Sequence, residues 1–300
     1  MQIPNSLKET IARVHGEMGR EWLESLPSLI IECRERWSLK LGKPFDNLSY
    51  NLVIPCRSSE GADVVLKLGV PCPELLTEAS ALSLFDGRGA VRLLAQDAIS
   101  GALLLERAMP GTPLYKLQGD LEATRTAARL MKSLWREPTA EHSFPSLEVW
   151  FRAFARLRSS LDGATGPFPP EIIASAERTF KELNGSSARA VVLHGDLHHE
   201  NILRSERDVW TAIDPKGICG DRGYEIGSFM LNQLPDGAAE MVLREILKRR
   251  LSIFSDELKM SRERLAGWAF CHAVLSAVWS FEESAEWQDT IRLAQILERL

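Results

Sequence analysis

The stretch 191–217 reads VVLHGDLHHENILRSERDVWTAIDPKG, and its octet HGDLHHEN (194–201) sets three histidines, two acids and an asparagine between apolar runs. Three chemistries use such a cluster: a zinc site, a hydrolase with a histidine base, or a loop that aligns a hydroxyl and a magnesium ion for phosphoryl transfer. Zinc needs three or four ligands converging on one ion, commonly through HExxH or paired cysteines. Neither pattern occurs, and adjacent His198 and His199 point apart in an extended chain. An α/β-hydrolase needs a GxSxG elbow, which is also missing. Phosphoryl transfer needs a carboxylate near the acceptor hydroxyl and two oxygen ligands that hold magnesium against the phosphates. Asp196 followed five positions later by Asn201 has the HxDxxxxN spacing of a kinase catalytic loop, and Asp214 ends the next apolar run, VWTAI.

Outward from this stretch the chain changes character twice. Between Tyr50 and Arg107, YNLVIPC and ADVVLKLGV are β-branched runs flanking the turn RSSEGA, and PELLTEASALSLFDG has helical spacing from Pro73 to Gly87. AVRLLAQDA and GALLLERAM return to strand character, so the order is β, β, α, β, β. After Met109 the segments 119–137, 146–161 and 170–185 are apolar at three-to-four-residue spacing, and helices resume from about Gly223 after the short strands around the octet. RAMPGTPLY (107–115) is the candidate hinge. The pattern predicts an α+β fold of two lobes: 1–108, a small antiparallel β lobe with a helix and an N-terminal helical extension, and 109–300, a larger, mainly helical lobe.

Bulk properties limit the partners. Thirty-six basic against 41 acidic residues give a formal charge of -5 in 300 residues, which argues against nucleic acid and suits a cationic small molecule. Cys33, Cys56, Cys72, Cys219 and Cys271 are scattered and odd in number, as expected of reduced thiols. The N-terminus has no uninterrupted apolar core of a signal peptide, and no run approaches the ~18 apolar residues of a membrane span. A cytoplasmic protein, monomeric or homodimeric and without a membrane or nucleic-acid partner, is the expectation.

HGDxxxxN with a later Asp in the DFG role resembles the aminoglycoside phosphotransferases, a family of protein-kinase-like fold. HGDLHHEN followed by AIDPKGICGDRGYEIG is similar to the branch holding the streptomycin 6-phosphotransferases and hydroxyurea phosphotransferases. The resemblance covers most of the chain after about residue 45. It implies an enzyme dependent on ATP (or GTP) and Mg2+ that phosphorylates a small-molecule hydroxyl. Asp196 would be the catalytic base or hydroxyl-orienting group, Asn201 and Asp214 the magnesium ligands, and His194 a support for the loop. Lys216 in DPKG has two readings, phosphate contact or ion pair, and His198 and His199 are either phosphate or substrate contacts or satisfied loop histidines.

A kinase reading also predicts a strand lysine for the phosphates and a helix acid to hold it. Lys67, inside VVLKLG, fits the first, with Glu78 as its partner and Glu74, one turn earlier, as the alternate. A glycine-rich phosphate loop is absent and FDNLSYNLV stands there; the resemblance to antibiotic kinases, which tolerate a Ser- or Asn-containing loop at this place, implies Ser49 and Asn51 as the candidate phosphate contacts, and backbone groups of Glu106 and Ala108 in the hinge as the candidates for adenine. For the acceptor, Trp268, His272, Trp279 and Glu283 share one helical face, with Glu282 and Glu286 beside it. Such a face is either core or an aromatic and acidic wall for a cationic sugar; Asp221 and Glu225 are further acidic candidates. The reading is a streptomycin-type aminoglycoside phosphotransferase with a resistance role. Its alternatives are a kinase of hydroxyurea, a sugar or an amino alcohol, and a catalytically silent nucleotide-binding protein of the same fold.

Overall fold

The strand that carries Lys67 is central in its sheet, so this lysine is buried among valines and leucines and needs a partner of opposite charge. In the structure, a computed structural model describing residues 3–46, 48–140, 143–187 and 189–300, the chain divides into two compact units, Met1–Gly111 and Thr112–Leu300. The first begins with α1 (Asn5–Arg36), continues through β1 (Lys40–Leu41), β2 (Leu52–Arg57) and β3 (Asp63–Leu68), and then α2 (Pro73–Phe85). β4 (Leu93–Asp97) and β5 (Ala102–Glu106) complete an antiparallel sheet in the order β1-β2-β3-β5-β4. Alternate residues of β2 and β3, among them Leu52, Ile54, Val64, Leu66 and Leu68, are buried in one cluster with Leu7, Ile11, Trp22 and Leu26 of α1. Each fully buried leucine or isoleucine there contributes about 1.5–3 kcal/mol. α1 itself departs from helical geometry at Gly16 (φ 58°, ψ -128°) and contains Pro27.

The expected β, β, α, β, β order of 50–107 is present, preceded by β1, which at two residues carries no period to read. The chain passes from the first unit to the second in β6 (Pro110–Pro113).

The second unit holds α3 (Asp120–Leu134), α4 (Leu147–Ser160) and α5 (Pro170–Gly185), then β7 (Val191–Leu193), β8 (Ile202–Ser205), β9 (Val209–Ala212) and β10 (Ile218–Gly220). α6 (Gly227–Leu231), α7 (Glu240–Leu258), α8 (Arg262–Glu282) and α9 (Gln288–Glu298) follow. β7 pairs antiparallel with β10 and β8 with β9, so the octet is a connection between two small ladders. α8 is apolar nearly all round, with Trp268, Phe270, Val274 and Leu275 among its buried residues, and a helix of that pattern belongs in the centre. It packs against α4, α5, α6, α7 and α9. Among the described residues no helix is long and apolar enough to cross a membrane.

Candidate active site

The octet is held from beneath by a buried acid. Glu225, 2% exposed, accepts the backbone N–H groups of His194 and Gly195, each at 2.9 Å. Burial pushes its carboxyl up to about 7 even though both N–H groups favour the charged form. Gly195 has φ +83°, and a Cβ there would come 2.9 Å from the Trp150 ring, so the sharp turn before Asp196 requires glycine. His194 is fully buried: its Nδ1 accepts the Asp196 N–H at 3.2 Å, which leaves Nε2–H to donate to the Ile213 carbonyl at 2.8 Å. Burial lowers its pKa to about 4, so it is a neutral strut between the octet and the segment leading to Asp214.

Two further bonds bring Asn201 and Asp214 to the same place. The Ile213 N–H donates to the Asn201 carbonyl at 3.0 Å, and the Lys216 N–H donates to the His194 carbonyl at 2.7 Å. Asn201 Nδ2 donates to the Asp196 carbonyl at 2.9 Å, which turns the side-chain oxygen Oδ1 the other way, as a hard ligand. Asp214 is half-buried in left-handed backbone, φ 59°. Among the described residues no group of three His, Cys, Asp or Glu side chains could close around a metal. Asn201 and Asp214 are hard-oxygen side chains of the kind magnesium takes, since that ion keeps waters and takes its other ligands from phosphates.

The remaining octet histidines separate. His199 is buried, stacks on Phe229 at 4.0 Å and is pushed down to about 3, first by burial and then by the Arg250 charge, so it belongs to the core. His198 is half-buried; its Nε2 is 3.9 Å from Asp196 Oδ2 and 3.2 Å from Asn201 Nδ2. A cavity of about 170 Å³ opens beside Asp196 and His198, completed by Ser228, Leu231 and Asn232 around α6 and by His272 and Ser276 of α8.

Several expected acceptor contacts face elsewhere. Glu225 is committed to the loop backbone, as above. Asp221 is 6% exposed, caps the following turn through the Gly223 N–H at 2.8 Å and pairs with Arg264 at 2.5 Å. Both acids are structural because burial without such partners would be prohibitive. Trp268 is core, Trp279 packs edge-on to Trp150 with centroids 5.4 Å apart, and exposed Glu282 pairs with Arg156 at 3.2 Å. Glu283 and Glu286 are exposed beyond the end of α8 and do not line the cavity; Lys216 is exposed beside the loop. Of the predicted wall only His272 reaches the cavity, while Ser228, Asn232 and Ser276 carried no pattern by which to pick them out.

In the first unit, Lys67 Nζ lies 2.6 and 2.8 Å from the two oxygens of Glu78, and both side chains are buried. The partner is Glu78, not exposed Glu74. Lys67 stands opposite Val53 and Leu103, in the middle of the sheet rather than on an edge. Ser49 is exposed and Asn51 half-buried in the connection between β1 and β2, with Asn51 Oδ1 lying against Gly69. The Glu106 N–H donates to the Arg92 carbonyl at 2.9 Å, so of its main-chain groups the carbonyl, with the main chain of Ala108, is what the adenine expectation rests on.

Solved structures share this architecture. Choline kinase LicA from Streptococcus pneumoniae superposes with a TM-score of 0.63 at 15% identity, over 90% of this chain and 99% of that one. An aminoglycoside phosphotransferase, APH(4)-Ia, solved as a ternary complex with ADP and hygromycin B, gives 0.63 at 12% identity over 92% and 97%. The fold is therefore protein-kinase-like, and the streptomycin kinases among the relatives of this sequence make the protein a phosphotransferase that acts on hydroxyl groups. The sequence profile of the aminoglycoside/hydroxyurea antibiotic resistance kinases matches residues 36–284, and the chain belongs to that family. It is 30% identical to a streptomycin 6-kinase of Streptomyces griseus over 94% of this chain and 92% of the relative. It is 31% identical to a hydroxyurea phosphotransferase of Kitasatospora aureofaciens, over 94% and 81%.

Proposed function

We propose that this protein transfers the terminal phosphoryl group of ATP, with magnesium, to a ring hydroxyl of a streptomycin-type aminoglycoside in the cytoplasm, and so confers resistance. The observation that carries the reading is the loop in which Glu225 and His194 hold Asp196 at the cavity while the Ile213 N–H, on the Asn201 carbonyl, ties the segment that leads to Asp214 to the same loop. Asp196 orients the acceptor hydroxyl and takes its proton as the oxygen attacks phosphorus. Asn201 Oδ1 and the Asp214 carboxylate would hold magnesium, which when bound neutralises charge on the phosphates. Lys67, fixed by Glu78, contacts the phosphates, and Ala108 offers its N–H to the adenine. The hydroxyurea phosphotransferase relative supports a second acceptor, hydroxyurea, at the same site.

The test is phosphate transfer from magnesium-ATP to streptomycin and to hydroxyurea. Asp196→Asn keeps the fold and nucleotide affinity but lowers kcat by about 10²–10⁴, the usual worth of a positioned base. Near-normal turnover in that variant removes Asp196 from its role. Nucleotide binding without transfer to any hydroxyl compound would instead favour a silent protein of the same fold.

A further inference from the structure

A chain of hydrogen bonds in the cavity fixes which way one of its hydroxyls points. Tyr224, 1% exposed, lies with its phenolic oxygen 2.9 Å from His272 Nδ1, and His272 Nε2 lies 3.3 Å from Ser228 Oγ. Burial pushes the Tyr224 pKa well above its ordinary value, so the phenol keeps its hydrogen. His272 Nδ1 is the acceptor it meets among the described residues, and a buried O–H needs one. Once Nδ1 accepts, the imidazole hydrogen must be on Nε2, because a neutral ring has one donor and one acceptor. Burial lowers His272 to about 4, which keeps it neutral near pH 7. Nε2–H then donates to Ser228 Oγ, and the Ser228 hydrogen is left for the cavity that Asp196 also lines. The geometry depends on Gly227, where a Cβ would fall 2.4 Å from His272 Cγ; without it the ring lies against α6 next to Ser228.

We propose that Ser228 contacts the acceptor by donating this hydrogen to an oxygen neighbouring the hydroxyl to be phosphorylated, and that Tyr224 and His272 are the positioning residues that set its direction. This rests on the reading of Asp196 as the acceptor-side base. It narrows what the Ser228 hydrogen can meet: the group that takes it is a hydroxyl, ether or carbonyl oxygen, because an ammonium or guanidinium has no lone pair with which to accept. Acceptors with a second oxygen beside the reacting hydroxyl fit.

The experiment is a double-mutant cycle on the full chain, with magnesium-ATP and whichever of streptomycin and hydroxyurea is turned over. Ser228→Ala should raise the acceptor KM about tenfold, the worth of one hydrogen bond, and leave the KM for ATP unchanged. Tyr224→Phe should raise the acceptor KM less, and the double variant should match Ser228→Ala alone, since Tyr224 acts only through Ser228. If Tyr224→Phe does not fold, His272→Gln, which retains a donor toward Ser228, should keep a lower acceptor KM than His272→Phe. An unchanged acceptor KM in Ser228→Ala, additive effects in the cycle, or an equal rise in the KM for ATP overturns the assignment. Asp196→Asn, measured alongside, separates the two levels. Its loss of turnover with a normal Ser228→Ala sinks only the role of Ser228, whereas its full activity sinks the site itself.

Discussion

Glu225 shows how one buried acid can fix the path of a loop through its backbone alone. Its two bonds hold the backbone of His194 and Gly195, so they set the direction in which Asp196 leaves the turn. Glu225→Ala would leave two buried N–H groups without acceptors, at a cost on the order of 3 kcal/mol. Calorimetry should show the lower Tm, and kinetics a fall in kcat with the KM for ATP retained; an unaltered kcat would separate loop support from turnover. His272 makes a pH prediction at the same scale. Burial brings its pKa from 6.5 down to about 4, so the folded protein keeps the ring neutral where the unfolded chain is protonated. Its contribution to stability is therefore complete above pH 6.5 and is lost as the pH falls through 6.5 toward 4. The Tm of the wild type relative to His272→Gln should drop across that window, and a constant difference would mean that the ring titrates alike in both states.

At the scale of elements, α6 has only five residues and cannot hold itself in place. Arg250 of α7, 1% exposed, does this from below: Nη1 donates to the carbonyls of Phe229 at 3.0 Å and Asn232 at 2.8 Å, and Nη2 pairs with Asp120 of α3 at 2.6 Å. Arg250→Ala takes a donor from both carbonyls, of which that of Phe229 keeps the Asn232 N–H at 3.3 Å, and removes the guanidinium from part-buried Asp120, at a cost on the order of 3 kcal/mol. Thermal unfolding should register that loss, and a variant within ~1 kcal/mol of wild type would place the support of α6 elsewhere. Elements long enough to show a period, such as β2, β3 and α8, were legible in the sequence; β1, β6 and β10, at two to four residues, were not. The same limit applies to the site. Asp196, Asn201, Asp214 and the Lys67–Glu78 pair stand at informative spacings, and the structure brings each set together. Ser228 is one small polar residue on a short helix, and Asp221 and Glu225 look like any other acids until packing shows which are buried.

For the whole molecule the relevant quantity is charge. A net charge of -5 attracts a cation to the protein at long range, while hydrogen bonds in the cavity act only on contact. At about 0.1 M salt the screening length is ~10 Å, so added salt weakens the first effect and spares the second. Streptomycin is cationic and hydroxyurea is neutral, and the two acceptors therefore divide the contributions. Raising sodium chloride from about 0.02 M to about 0.5 M should increase the KM for streptomycin several-fold and leave the KM for hydroxyurea and the kcat values nearly unchanged. A parallel rise for both acceptors would indicate a general effect of salt on the enzyme. Salt-independent streptomycin binding would mean that its cations are met by short-range contacts rather than by the long-range field.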